Sequence, residues 1–94
     1  MTKDVQIIGH RGFVSKYPEN SLIGFLKAAE IGVDGIELDV HLTKDGELVI
    51  HHDEKINRMT NGTGWIYEKT LKELQQYQIR HRSRRRLKES IPTL

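Results

Sequence analysis

Ninety-four residues, 36% hydrophobic and 30% charged at a mean hydropathy of −0.58, make one domain at most, soluble in composition and with a thin core. The absence of cysteine excludes disulfides, thiolate metal sites and cysteine nucleophiles, and no apolar run approaches the roughly 18 residues of a membrane span. The net charge of +2 divides into −3 over residues 1–79 and +5 over residues 80–94, so the pI near 9.0 comes from Arg80 to Lys88 alone and does not argue for a nucleic-acid partner.

Met1-Thr2-Lys3-Asp4 leads into strand-like sequence without a signal-peptide pattern, and a cytoplasmic location is expected. Val5-Gln6-Ile7-Ile8-Gly9 predicts a short buried strand with His10-Arg11-Gly12 at its end. Pro18-Glu19-Asn20 breaks the chain, and Asn20 or Ser21 caps a helix running to Gly32. Leu22, Phe25, Leu26 and Ala29 recur at helical spacing and predict its apolar face.

Gly35 to Leu42 alternates strictly. Ile36, Leu38, Val40 and Leu42 share one face of the predicted strand, and Glu37, Asp39 and His41 the other. Asp45-Gly46 predicts a turn into a third strand, Glu47 to His52, followed by Asp53. A two-residue turn there pairs Lys44 with Glu47 and Asp39 with His52; a tight irregular return would keep the third strand parallel instead. Past the glycine-punctuated loop Asn61 to Gly64, Thr70 and Glu73 form a capping box for a final helix, with Leu71, Leu74 and Ile79 as its apolar surface. The order is β-α-β-β-α.

Two carboxylates on one strand face are costly to bury without a neutralising partner, and a solvated polar face is the ordinary outcome for such a pair. Here they have company. His10 and Arg11 follow strand one, and His51, His52 and Asp53 close strand three, the strand ends at which α/β folds bind ligands. Carboxylate oxygens suit Mg²⁺ or Ca²⁺, Arg11 offers a planar fork for phosphate, and His10 and His52 suit general acid and base. The set describes metal-assisted attack on a phosphoester. His41 lies near the turn and is expected to be solvated, His51 to pack, Trp65 and Ile66 to be core or lid, and Asp53 to fix a neighbouring backbone or histidine.

Gly9-His10-Arg11-Gly12, Pro18-Glu19-Asn20-Ser21, Gly32 to Val40, Thr43-Lys44-Asp45-Gly46 and His52-Asp53 resemble, in order and spacing, the glycerophosphodiester phosphodiesterase family. Arg58 to Gly64 and Thr70 to Leu74 extend the likeness. The resemblance implies a (β/α)₈ TIM barrel that hydrolyses a small-molecule glycerophosphodiester to glycerol 3-phosphate and an alcohol, with Ca²⁺ or Mg²⁺ as cofactor. It implies His10 and His52 as acid/base groups, Arg11 as the phosphate-binding arginine, Glu37 and Asp39 as metal ligands, and Glu19 as a supporting carboxylate. It further implies that a glycerol hydroxyl of the substrate attacks phosphorus first, giving a cyclic phosphate that water opens. A closed barrel takes about 250 residues, so residues 1–94 are expected to be its N-terminal portion, with little activity alone and with open sheet edges prone to self-association. The rival functions are a binding module, using the basic run on nucleic acid or an anionic membrane, and an inert remnant of the enzyme. The run lacks interleaved aromatics, and no nucleic-acid partner is expected.

Overall fold

The computed structural model describes residues 6–80 and 88–94, so the basic run singled out above lies, apart from Arg80 and Lys88, outside the described residues. The first strand, β1 (Ile8–His10), pairs in parallel with β2 (Gly35–Glu37), placing Ile8 opposite Gly35, Gly9 opposite Ile36 and His10 opposite Glu37. The crossover between them is α1 (Leu22–Glu30). Ser21 is its N-cap, accepting the Gly24 N–H at 3.1 Å while donating to the Pro18 carbonyl at 2.7 Å. The last turn closes as a Schellman motif, with Gly32 N–H on Ala29 O at 3.1 Å and Val33 N–H on Ala28 O at 3.4 Å.

The predicted apolar stripe of α1 is not the face that packs. Leu22 and Leu26 are 54% and 56% exposed, whereas Gly24 and Ala28 are buried. The helix lies close to β1 where a Cβ built on Gly9 would stand 3.5 Å from that of Ala28, and close to its own leading loop where one on Gly24 would stand only 3.0 Å from the Pro18 carbonyl. The larger side chains cannot occupy so narrow a gap. β1 is likewise not buried as predicted, since only Gly9 of its residues is covered.

The single predicted strand over 35–42 is interrupted. After β2 the chain re-forms as β3 (Val40–Leu42), antiparallel to β4 (Leu48–Ile50), which excludes the parallel return. The interruption coincides with a side chain taking a strand's place, because the Asp39 N–H is directed at Asn20 Oδ1, 3.4 Å away. The hairpin register also differs from the one predicted. Val40 faces Ile50, the Thr43 N–H bonds Glu47 O at 2.9 Å, and the His51 N–H bonds Asp39 O at 2.9 Å. Lys44-Asp45-Gly46 is therefore a three-residue loop, with Gly46 at φ +80° in the left-handed position that such loops require. One added loop residue sets His51, not His52, against Asp39.

The chain continues through a 3₁₀ turn (Ile66–Glu68) to α2 (Leu71–Leu74), whose Thr70–Glu73 capping box is formed as predicted. α2 is a single turn, and Ile79 lies beyond it, buried and bridged to Thr60. Val49, Ile56, Ile66, Leu74 and Ile91 make the core, with Leu71 and Tyr77 packed on it; each buried aliphatic contributes about 1.5–3 kcal/mol. The 88–94 segment is tied back at several points, one of them the Ile79 N–H on Glu89 O at 2.7 Å. Its backbone meets β4, with Ile50 N–H on Pro92 O at 2.8 Å and Leu94 N–H on Leu48 O at 3.1 Å, and the Glu89 carboxylate accepts the Leu22 and Ile23 N–H groups that open α1.

Candidate active site

Parallel pairing of β1 with β2 sets His10 and Glu37 side by side, and His10 Nε2 stands 2.9 Å from Glu37 Oε2. Both side chains are about half exposed, 61% and 44%, so the pair is accessible and adds little stability. The ladder runs one residue further, the Arg11 N–H donating to Glu37 O at 2.8 Å.

At Arg11 the backbone turns left-handed, φ 55°, and it does so again at Asn20, φ 51°; the Asn20 N–H donates to Arg11 O at 2.8 Å. Two non-glycine residues in this region cost of order 1–3 kcal/mol each and are held by what surrounds them. Both side chains meet Asp39. Asn20 Nδ2 donates to Asp39 Oδ2 at 3.0 Å, and Arg11 Nε lies 3.4 Å from the same oxygen, within ion-pair distance but not aligned for a hydrogen bond.

A second cluster continues from Glu19. Arg58 Nη1 and Nη2 donate to Glu19 Oε1 and Oε2 at 2.8 and 2.7 Å, and Arg11 Nη1 reaches Glu19 Oε2 at 3.4 Å. The same guanidinium holds Asp53 through Nε to Oδ2 at 2.9 Å and Nη2 to Oδ1 at 3.0 Å. Asp53 Oδ1 is in turn 2.8 Å from His52 Nδ1. The Arg58 hydrogen bonds hold both Glu19 and Asp53 below the usual carboxylate range, and in Asp53 the His52 contact adds to the effect. Asp39, Arg11, Glu19, Arg58, Asp53 and His52 thus form one continuous chain of polar contacts, which brings His52 into the same constellation as Arg11 and Asp39.

Asn20 and Arg58 are the contributors that sequence reasoning missed. The sequence offers Asn20 or Ser21 as the helix cap and Ser21 takes that role, while Arg58 lies in the Arg58 to Gly64 stretch with no role to be read from it. An arginine 39 residues from the glutamate it pairs with leaves no local signal. The other histidines behave differently. His51 packs as predicted, 3% exposed, with Nε2 donating to Lys55 O at 3.3 Å, and burial pushes its pKa down. His41 is not simply solvated, because its Nε2 donates to the His52 carbonyl at 2.9 Å and fixes that backbone. Ile66 is core, while Trp65 meets the Tyr67 ring at a tilt, centroids 5.7 Å apart, with the Lys55 ammonium 4.6 Å above the indole.

As cation ligands, Glu37 and Asp39 offer hard oxygens. Each commits one oxygen to its neighbours, Glu37 Oε2 to His10 and Asp39 Oδ2 to Asn20 and Arg11, and among the described residues no hydrogen bond reaches Glu37 Oε1 or Asp39 Oδ1. Those oxygens fit a hard divalent ion but do not enclose one, since among the described residues no three His, Asp or Glu side chains converge.

A family profile described as the glycerophosphoryl diester phosphodiesterase family matches residues 10–94. A glycerophosphodiester phosphodiesterase of Bacillus altitudinis is 52% identical over 81 residues, covering 86% of this chain and 32% of the relative. The human glycerophosphodiester phosphodiesterase 1 is 38% identical over 93 residues, covering 96% and 28%. Among solved structures, an Agrobacterium tumefaciens glycerophosphodiester phosphodiesterase superposes with a TM-score of 0.89 at 34% identity, covering 96% of this chain and 39% of that one. An Oleispira antarctica phosphodiesterase, solved with the product sn-glycerol 3-phosphate, gives 0.84 at 37% identity, covering 96% and 37%. The chain spans about a third of the length of these relatives, and the small α/β unit corresponds to that share of a TIM-barrel enzyme. With 85 of its residues matched in one run and with 96% of its length superposing on a solved phosphodiesterase, the chain belongs to the glycerophosphodiester phosphodiesterase family.

Proposed function

We propose that this chain is the N-terminal portion of a glycerophosphodiester phosphodiesterase, which hydrolyses its substrate to glycerol 3-phosphate and an alcohol with Ca²⁺ or Mg²⁺. The observation that carries the reading is the convergence at the ends of β1 and β2. There His10 pairs with Glu37 and Arg11 with Asp39, the Arg11 N–H on Glu37 O holds the two pairs side by side, and the Glu19–Arg58–Asp53 chain joins His52 to Arg11.

Arg11 would bind a non-bridging phosphate oxygen, its side chain held by Glu19 and Asp39. Glu37 and Asp39 would hold the divalent ion, which when bound supplies Lewis-acid stabilisation of the phosphoryl charge. His10 and His52, each about half exposed, can exchange protons with substrate: one takes the proton of the attacking hydroxyl, the other gives one to the leaving alcohol oxygen. Asp53 stays ionised through the neutral range and keeps the His52 Nδ1 proton in place, so Nε2 is the nitrogen that transfers protons. Because each metal-ligand carboxylate has one oxygen engaged, this segment would supply two of the six or more oxygens such an ion takes. The rest would come from substrate, water or other parts of the enzyme, and turnover by the 94-residue chain alone would be low.

The test measures glycerol 3-phosphate released from glycerophosphocholine, with Ca²⁺ or Mg²⁺ and with chelator, by this chain and by the same chain within a protein of its relatives' length. Turnover is expected in the longer protein only. It should be lost to chelator and lowered about 10²-fold or more in His10→Ala or His52→Ala. Glu37→Gln or Asp39→Asn should raise the metal concentration required. Chelator-insensitive hydrolysis would remove the metal from the reading, and full activity in His52→Ala would remove the acid/base assignment.

A further inference from the structure

Arg58 carries two bidentate ion pairs at once, on Glu19 and on Asp53, while its own side chain is 49% exposed. Glu19 and Asp53 belong to separate loops and are 13% and 29% exposed, so this one guanidinium ties together two carboxylates that the chain brings in from different directions. The contacts continue outward in both directions. Glu19 touches Arg11, and Asp53 touches His52. A carboxylate held below its ordinary range only accepts hydrogen bonds, so the 2.8 Å contact at Asp53 Oδ1 must be donated by His52 Nδ1–H. That fixes one tautomer, with the lone pair of the neutral ring on Nε2.

We propose that Arg58 is a positioning residue: by clamping both Asp53 and Glu19 it sets the His52 tautomer and ring orientation and, at the other end, the direction of the Arg11 guanidinium. Its planar fork is what the task needs. Each of the two carboxylates receives two N–H groups in fixed directions, which an ammonium with one nitrogen cannot provide. Asp53 freed of Arg58 would rotate about its own torsions and leave His52 Nδ1 unpaired. The proposal rests on the phosphodiesterase reading only for what Nε2 then does, because the tautomer exists without substrate.

The test is long-range ¹H–¹⁵N spectroscopy of the imidazoles at a pH where they are neutral, on the chain as it stands, with His52 assigned by its loss in His52→Gln. The wild-type ring is expected as the Nδ1–H tautomer. Asp53→Asn and Arg58→Gln should each lose that signature, with the backbone spectrum otherwise native, and Arg58→Lys should lose most of it despite keeping the charge. An Nδ1–H signature that persists in Arg58→Gln and Arg58→Lys would overturn the proposal. So would loss of the native backbone spectrum in both, which would make Arg58 a folding residue. In the longer protein, a positioning role lowers kcat about 10–100-fold in Arg58→Lys with little change in KM. Altered tautomer with unaltered kcat would leave the positioning geometry standing and refute the acid/base reading of His52 instead.

Discussion

Replacing Asn20 isolates the residue that joins the helix-start loop to the carboxylate strand. Asn20 is 1% exposed, sits at φ 51° and donates to Asp39 Oδ2 at 3.0 Å. In Asn20→Gly the backbone conformation is retained at little cost, and the loss is the charge-assisted hydrogen bond, about 1.5–3 kcal/mol. In Asn20→Ala the same bond is lost and a Cβ is forced into the left-handed region without a polar side chain to stabilise it, adding about 1–2 kcal/mol. Alanine is therefore expected to destabilise by about 3–4 kcal/mol and glycine by about 2, an inversion of the usual order for these two residues. Against a total stability of about 5–15 kcal/mol the effect is large. Urea denaturation followed by Trp65 fluorescence measures both. If alanine proves no worse than glycine, the strain at residue 20 is absent; if both cost under about 0.5 kcal/mol, the Asn20–Asp39 link does not form in solution. In the longer protein the same variants leave Asp39 without its fixed partner, and apparent divalent-ion affinity should fall about 10–100-fold.

Gly62→Ala should cost about 1–3 kcal/mol by overpacking, because its Cβ would stand 2.5 Å from Tyr77 Cδ1 and 2.8 Å from Ile56 Cδ1; thermal denaturation reads the shift. Burial depresses the His51 pKa, so below the ordinary value of 6.5 the unfolded chain takes up a proton that the folded chain resists. Stability should therefore be full above that value and decline as pH falls beneath it, and His51→Gln should remove this slope; a slope unchanged in the variant assigns it to another group. Glu19 and Asp53 are depressed from 4.5 and 3.8, so their contribution is present above those values and lost as pH falls through the folded ones. Arg58→Gln should flatten that acid limb in urea titrations, and an unaltered limb would show that Arg58 does not set these two groups.

What could be read from the amino-acid order was whatever short-range physics encodes. Gly9-His10-Arg11 at a strand end, a helix cap at Asn20 or Ser21, the helix end at Gly32, the Asp45-Gly46 turn and the Thr70–Glu73 box each involve residues a few positions apart, whose hydrogen bonds close within one turn. Alternation along Gly35–Leu42 likewise placed Glu37 and Asp39 together, though not the interruption between β2 and β3. The hairpin register escaped because two- and three-residue loops around Asp45-Gly46 differ by a single residue, and only pairing of the whole hairpin selects between them. The packing face of α1 escaped because periodicity counts apolar area, while the approach of Gly9 to Ala28 rewards the absence of side-chain volume. Tertiary structure alone decided the site's wiring. Asn20 meets Asp39 across 19 residues and Arg58 meets Glu19 across 39, and such contacts exist only once separate loops are brought to one end of the strands.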